Sequence, residues 1–205
     1  MSQLDGIHDP HHHAWMVDMG HTQETHSAQV INEDRKEFMV FMAGPPGTGY
    51  ESGTFKIRLA FPDNYPNGVP EAKFLVPIWN CHVDWDTQKV IFDRVDEGEP
   101  LFTIEESLKY IEAIMKSNQE EKESIYVKTT QFWTVYTAQG RLGPCPDMMQ
   151  KLGQLQDMGF GERDSILALS RSEWDADQAV EAILAGSIAD DEPSHNAPST
   201  SSAFY

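Results

Sequence analysis

Cysteine is scarce. Cys81 and Cys145 are the only two in 205 residues, too few for a disulfide framework or a cysteine metal site and suited to a reducing compartment. Cations are scarce too. Fifteen Lys and Arg stand against thirty-three Asp and Glu, the formal charge is −18, and no Lys or Arg precedes Arg35. Such a surface repels nucleic acid and anionic membranes and favours a partner with a basic face. No apolar run reaches the ~20 residues that a membrane span needs. The first residues lack the basic-then-apolar layout of a secretory signal, so the expectation is a cytoplasmic or nuclear protein. Core material is not lacking. Forty per cent of the chain is hydrophobic, with ten phenylalanines, enough for one mid-sized domain and a small one.

Six of the eight histidines fall in residues 1–26. Pro10 and Gly20 interrupt a helical pattern there, which predicts a poorly structured histidine-rich arm. His11, His12 and His13 could chelate a metal. Without carboxylate support, adjacent histidines read as an adventitious chelator, and neither a metal nor a cofactor is expected.

Beyond Val30, aromatic and β-branched residues at Glu37–Ala43, Gly53–Phe61 and Glu71–Phe74 predict strands of an antiparallel meander. The proline- and glycine-rich stretches 44–49 and 62–70 separate them. Phe55, Ile57, Leu59 and Phe61 alternate, which buries one face of that strand. A helix is predicted over 103–117, with Ile104, Leu108, Ile111 and Met115 on one face and a capping box from Thr103 to Glu106. A second is predicted over Lys122–Gln139. Gly143, Pro144, Cys145 and Pro146 form a hinge. Past it, Met148, Leu152 and Leu155, then Ile166 and Leu169, then Ala179, Ile183 and Leu184, mark three short helices, the last capped by Asp175 with Gln178. The predicted organisation is an arm (1–26), an α+β domain (27–143), a three-helix domain (144–187) and a disordered acidic tail (188–205).

The run GPPGTGYESGTFKIRLAFPDNYPNGVPEAKFLVPIW, Gly44 to Trp79, resembles the core of the ubiquitin-conjugating (UBC) fold. Gly44, Pro45, Pro46, Gly47, Tyr50, Gly53, Phe61, Pro62, Tyr65, Pro66 and Pro70 carry the match. The resemblance implies a four-stranded antiparallel meander packed with helices, and an enzyme that carries ubiquitin as a cysteine thioester.

The site positions depart from that pattern. Where the family has a His-Pro-Asn triplet, this sequence reads Asn80, Cys81, His82. Where the family has its cysteine followed by a leucine and an aspartate, it reads Ile91, Phe92, Asp93. The resemblance thus puts Ile91 at the nucleophile, and isoleucine cannot accept an acyl group. His82 replaces the asparagine that steadies the oxyanion. Cys81 lies in the right loop to act as a displaced nucleophile, but Asp84 and Asp86 disfavour a thiolate, and a semi-buried small residue is the preferred reading. Asn67 follows Tyr65 and Pro66 where the family's ligase-binding loop often has phenylalanine. Gly98, Glu99, Pro100 and Leu101 lack the tryptophan of its second ligase loop. The histidine-rich arm replaces the basic first helix that meets the activating enzyme.

Residues 147–186 resemble a ubiquitin-associated (UBA) domain, through Met158-Gly159-Phe160, Ala168-Leu169, Trp174-Asp175 and Ala179. Carried over from that family, Met158, Gly159, Phe160, Ile183 and Leu184 are the candidate ubiquitin contacts. The expectation is a non-catalytic variant that binds ubiquitin or polyubiquitin as an adaptor. Family analogy adds pairing with an active conjugating enzyme. Two alternatives stay open: an active conjugating enzyme using Cys81, and a structural subunit of a larger assembly.

Overall fold

The computed structural model describes residues 9–92, 102–117, 119, 124–141, 143 and 145–186. Asp93, the segment Gly98–Leu101, Pro144 and the tail from residue 188, all singled out above, lie outside the described residues. The chain divides into two compact units, Met1–Gln150 and Lys151–Tyr205.

In the first unit four strands form one antiparallel sheet in sequence order: β1 (Ser27–Asn32), β2 (Glu37–Ala43), β3 (Thr54–Ala60) and β4 (Glu71–Phe74). The meander is as expected. β1, which the pattern did not single out, pairs Ser27 with Phe41 through Val30 with Phe38. The alternation in β3 is real: Phe55, Ile57 and Leu59 are fully buried, with Phe61 just beyond the strand. Gly44 and Gly47 serve different ends. Gly47 takes a positive φ of 77°, whereas a Cβ on Gly44 would sit 1.7 Å from the Tyr50 carbonyl oxygen, so there the demand is close approach rather than angle.

Residues 1–26 require a correction. Pro10–Thr25 is a sixteen-residue helix, α1. Asp9 caps it by accepting from the His11 N–H, and Pro10 occupies the first turn, where proline helps because that N–H has no partner in a helix. Trp15, Met19 and Thr22 are buried at helical spacing, and Trp15 and Met19 join the sheet's core. That burial outweighs the ~1 kcal/mol that an exposed mid-helix glycine such as Gly20 costs. The histidines disperse: His11 Nδ1 donates to the Tyr65 carbonyl at 2.6 Å, and His12 faces Glu33 at 3.6 Å. The first helix is thus present, but it carries no Lys or Arg.

α2 (Ile104–Lys116) lays Ile104, Leu108, Ile111 and Met115 into the core, and the Thr103–Glu106 capping box closes in both directions. α3 (Ile125–Thr137) is shorter than the 122–139 anticipated, starting at the Ser124 cap. α4 (Pro146–Asp157), α5 (Glu162–Arg171) and α6 (Ala176–Leu184) follow. In the second unit Leu152, Leu155, Ile166, Ala168, Leu169, Trp174 and Ala179 are buried. Asp175 caps α6 by accepting from the Gln178 N–H.

Candidate functional site

After β4 the chain doubles back between Ile78 and Phe92. Gln88 ties this loop together, accepting from the Ile78 N–H at 3.0 Å and donating to the Trp85 carbonyl at 2.9 Å. Asn80 is fully buried at its centre. Its Nδ2 donates to the Tyr50 hydroxyl and the Ile114 carbonyl, each at 2.9 Å, and its Oδ1 accepts from the His82 N–H at 2.8 Å. Val83 bridges to Val90, and the Ile91 N–H donates to the His82 carbonyl at 2.7 Å. Asn80, Cys81, His82 and Ile91 are therefore brought together, on adjacent antiparallel segments.

Ile91 is 45% exposed. Its carbonyl accepts from the Tyr110 hydroxyl at 3.0 Å, and Phe92 beside it packs on Phe102 and Tyr110. The backbone of position 91 is held at both ends while its side chain offers only hydrocarbon.

Cys81 departs from expectation. It is exposed, not semi-buried, because the neighbouring Asn80 turns inward to fill the core position. The Cys81 sulfur lies 3.3 Å from His82 Nδ1 and 4.0 Å from the Tyr126 hydroxyl of α3. Burial above all, with Cys81 next, pushes Tyr126 up to about 12, and burial raises Tyr50 well above the ordinary phenol range. Asp84 is held below the usual carboxylate range first by the Thr87 hydroxyl and then by its N–H. Sequence reasoning missed Tyr126, which is 45 residues from Cys81 and carried no local signal. Asn67 is exposed and polar.

The second unit offers a different surface. Gly159 holds a positive φ of 93°, making the turn after α4 that leaves Met158 60% exposed. Leu184 at the end of α6 is 73% exposed, while Phe160 and Ile183 are half-buried. A groove of about 740 Å³ runs between α4 and α6, with Leu155, Met158 and Val180 as its apolar lining and Asp157, Asp177 and Glu181 as acidic groups. Those acids were not anticipated. Asp177 and Glu181 sit four apart on α6, a spacing that places them on one face.

Against known protein families, residues 15–135 match the ubiquitin-conjugating enzyme model and residues 150–183 match the UBA/TS-N domain model. The chain belongs to the ubiquitin-conjugating enzyme family. It is 30% identical over 158 residues to ubiquitin-conjugating enzyme E2 21 of Caenorhabditis elegans, covering 70% of this chain and 74% of that protein. It is 26% identical over 181 residues to human ubiquitin-conjugating enzyme E2 K, covering 80% and 90%. Among solved structures, the E2 domain of a Toxoplasma gondii ubiquitin conjugating enzyme superposes with a TM-score of 0.51 at 27% identity, covering 60% of this chain and 96% of that one.

The family match begins at Trp15, inside α1, so the helix and its buried indole belong to the ubiquitin-conjugating fold rather than to an appendage. Asn80 to His82 and Ile91 fall within the matched residues.

Proposed function

We propose that this member of the ubiquitin-conjugating family does not conjugate, and acts as an adaptor that binds ubiquitin through its UBA domain in the cytoplasm or nucleus. The observation that carries the first half is Ile91. Its backbone is fixed from both sides, yet its exposed side chain has no atom able to form a thioester. The absence of Lys and Arg from α1 also removes the cations through which, by family resemblance, the activating enzyme would engage. Incubation of the full chain with activating enzyme, ATP and ubiquitin is expected to give no thiol-sensitive adduct. An adduct lost in Cys81→Ser would instead establish the displaced-cysteine enzyme.

Support for the second half is the exposed Met158, which lines the acidic groove, together with Leu184, exposed at the end of α6. A partner with an apolar patch rimmed by basic residues fits both features, and ubiquitin is such a partner in the family to which the UBA domain belongs. Interfaces of this size are small, so binding is expected to be weak for one ubiquitin and strengthened by avidity on polyubiquitin. Titration of labelled ubiquitin with the full chain is expected to shift resonances of its apolar patch. Leu184→Asp puts a charge into the contact without disturbing a core and is expected to weaken binding by about tenfold or more. Unchanged spectra at millimolar concentration would favour a purely structural role.

A further inference from the structure

We propose that Cys81 and His82 form a reactive thiol–imidazole pair that exchanges with small cationic disulfides. This stands apart from the ubiquitin chemistry above, and it begins from three groups that converge at one exposed point. The Cys81 sulfur is 3.3 Å from His82 Nδ1, a contact in which an unprotonated Nδ1 accepts the thiol proton. The Tyr126 hydroxyl points at the same sulfur from 4.0 Å. Tyr126 stays a neutral donor at physiological pH, since burial holds it up at about 12.

The geometry is fixed rather than incidental. His82 is anchored through its backbone, its N–H to Asn80 Oδ1 and its carbonyl to the Ile91 N–H, and the Cys81 N–H donates to Tyr126 at 3.4 Å. Asp84 and Asp86 in the same loop disfavour a standing thiolate, so the proton leaves the sulfur only as attack begins, and a base beside the nucleophile is what that step requires.

The step balances. The Cys81 proton passes to His82 Nδ1, the thiolate attacks one sulfur of the disulfide, a new S–S bond forms as the old one breaks, and the leaving thiolate takes the proton back from the imidazole. One disulfide and one thiol are consumed, and one mixed disulfide and one thiol are produced, so no further oxidant is required. The charges of this loop and of the whole chain select the co-reactant. Asp84, held ionised by Thr87, and Asp86 lie in the same loop, Tyr126 on α3 is neutral, and the chain carries −18 overall. Anionic disulfides are repelled by this field and cationic ones drawn to it.

Cys145, half-buried in the same chain, is the internal control. With cystamine added to the full protein and each cysteine followed by peptide mass mapping, Cys81 is expected to form its mixed disulfide about tenfold faster than Cys145. Glutathione disulfide, which is anionic, is expected to react at Cys81 more slowly than cystamine. His82→Gln removes the imidazole and leaves the anchoring backbone in place. It is expected to slow the Cys81 reaction by about fivefold or more, whereas exposure alone predicts no change. An unaltered Cys81 rate in His82→Gln, equal rates at the two cysteines in the wild type, or a preference for glutathione disulfide overturns the proposal. The Cys145 rate and the circular dichroism of the variant report whether it has folded.

Discussion

Trp15→Ala is expected to lower the stability of the larger unit by about 3–5 kcal/mol, the range for emptying a core aromatic site. The indole is fully buried and belongs to the cluster that includes Phe38, Leu59 and Tyr65. Urea unfolding followed by tryptophan fluorescence suits the measurement, because Trp79, Trp85 and Trp133 remain as reporters in that unit while Trp174 alone lies in the other. Met16→Ala, one residue along α1 and 40% exposed, is expected to change stability by no more than about 0.5 kcal/mol. Were residues 10–25 a solvated arm, the two substitutions would be indistinguishable. Trp15→Phe adds a finer test. The Trp15 Nε1–H is buried without a hydrogen-bond partner among the described residues, so phenylalanine loses volume but also removes an unsatisfied donor. Its cost is expected to be well below that of alanine, about 1–2 kcal/mol.

The helix escaped sequence reasoning for a reason that Trp15 makes plain. Its amphipathic signal is almost nil, because histidines, aspartate and threonine are mixed among few apolar residues, and Pro10 by itself reads as a breaker. Asp9 followed by Pro10 is instead a start signal, a capping side chain with proline in the first turn. Where the pattern was strong, sequence and structure agree: the alternation in β3, the apolar face of α2 and the Thr103–Glu106 box are all local features with one physical solution. The cleft was legible only in part. The family resemblance puts Cys81, His82 and Ile91 at one site, but does not say which of them points outward. That depends on Asn80 reaching Tyr50 and Ile114, 30 and 34 residues away, and no local pattern encodes such partners. In the second unit the Met158-Gly159-Phe160 turn was legible because its glycine must take a positive φ. The acidic groove was not, since charges on a short helix are ordinarily a solvated face.

Asn80 carries the other large expected effect. Asn80→Ala takes the acceptor from the His82 N–H and a donor from both the Tyr50 oxygen and the Ile114 carbonyl, which keeps only its bond from Ser117 Oγ, and is expected to cost about 2–4 kcal/mol. It should also loosen the Cys81–His82 segment, visible as faster amide exchange at His82, whose N–H then has no acceptor. Asn80→Asp separates size from hydrogen-bond polarity. The introduced carboxylate can still accept from the His82 N–H, but it confronts the Ile114 carbonyl and a Tyr50 oxygen whose own proton goes to the Trp79 carbonyl. Burial and those facing acceptors both penalise its charged form, so its folded-state pKa rises above the ordinary ~3.9. The sign follows from linkage. A carboxyl with a raised folded pKa destabilises most where it must ionise, at neutral pH and above. That penalty is relieved as pH falls through the folded value and is complete in its relief only below the unfolded one. Asn80→Asp is therefore expected to be less stable than Asn80→Ala at pH 7 and to close that gap on acidification toward pH ~4. A gap between the two variants that stays constant across that range would show that Asn80 does not face the Ile114 carbonyl and the Tyr50 oxygen. The residue would then be a filler of space and not the hydrogen-bonding centre from which Cys81 and His82 take their outward position.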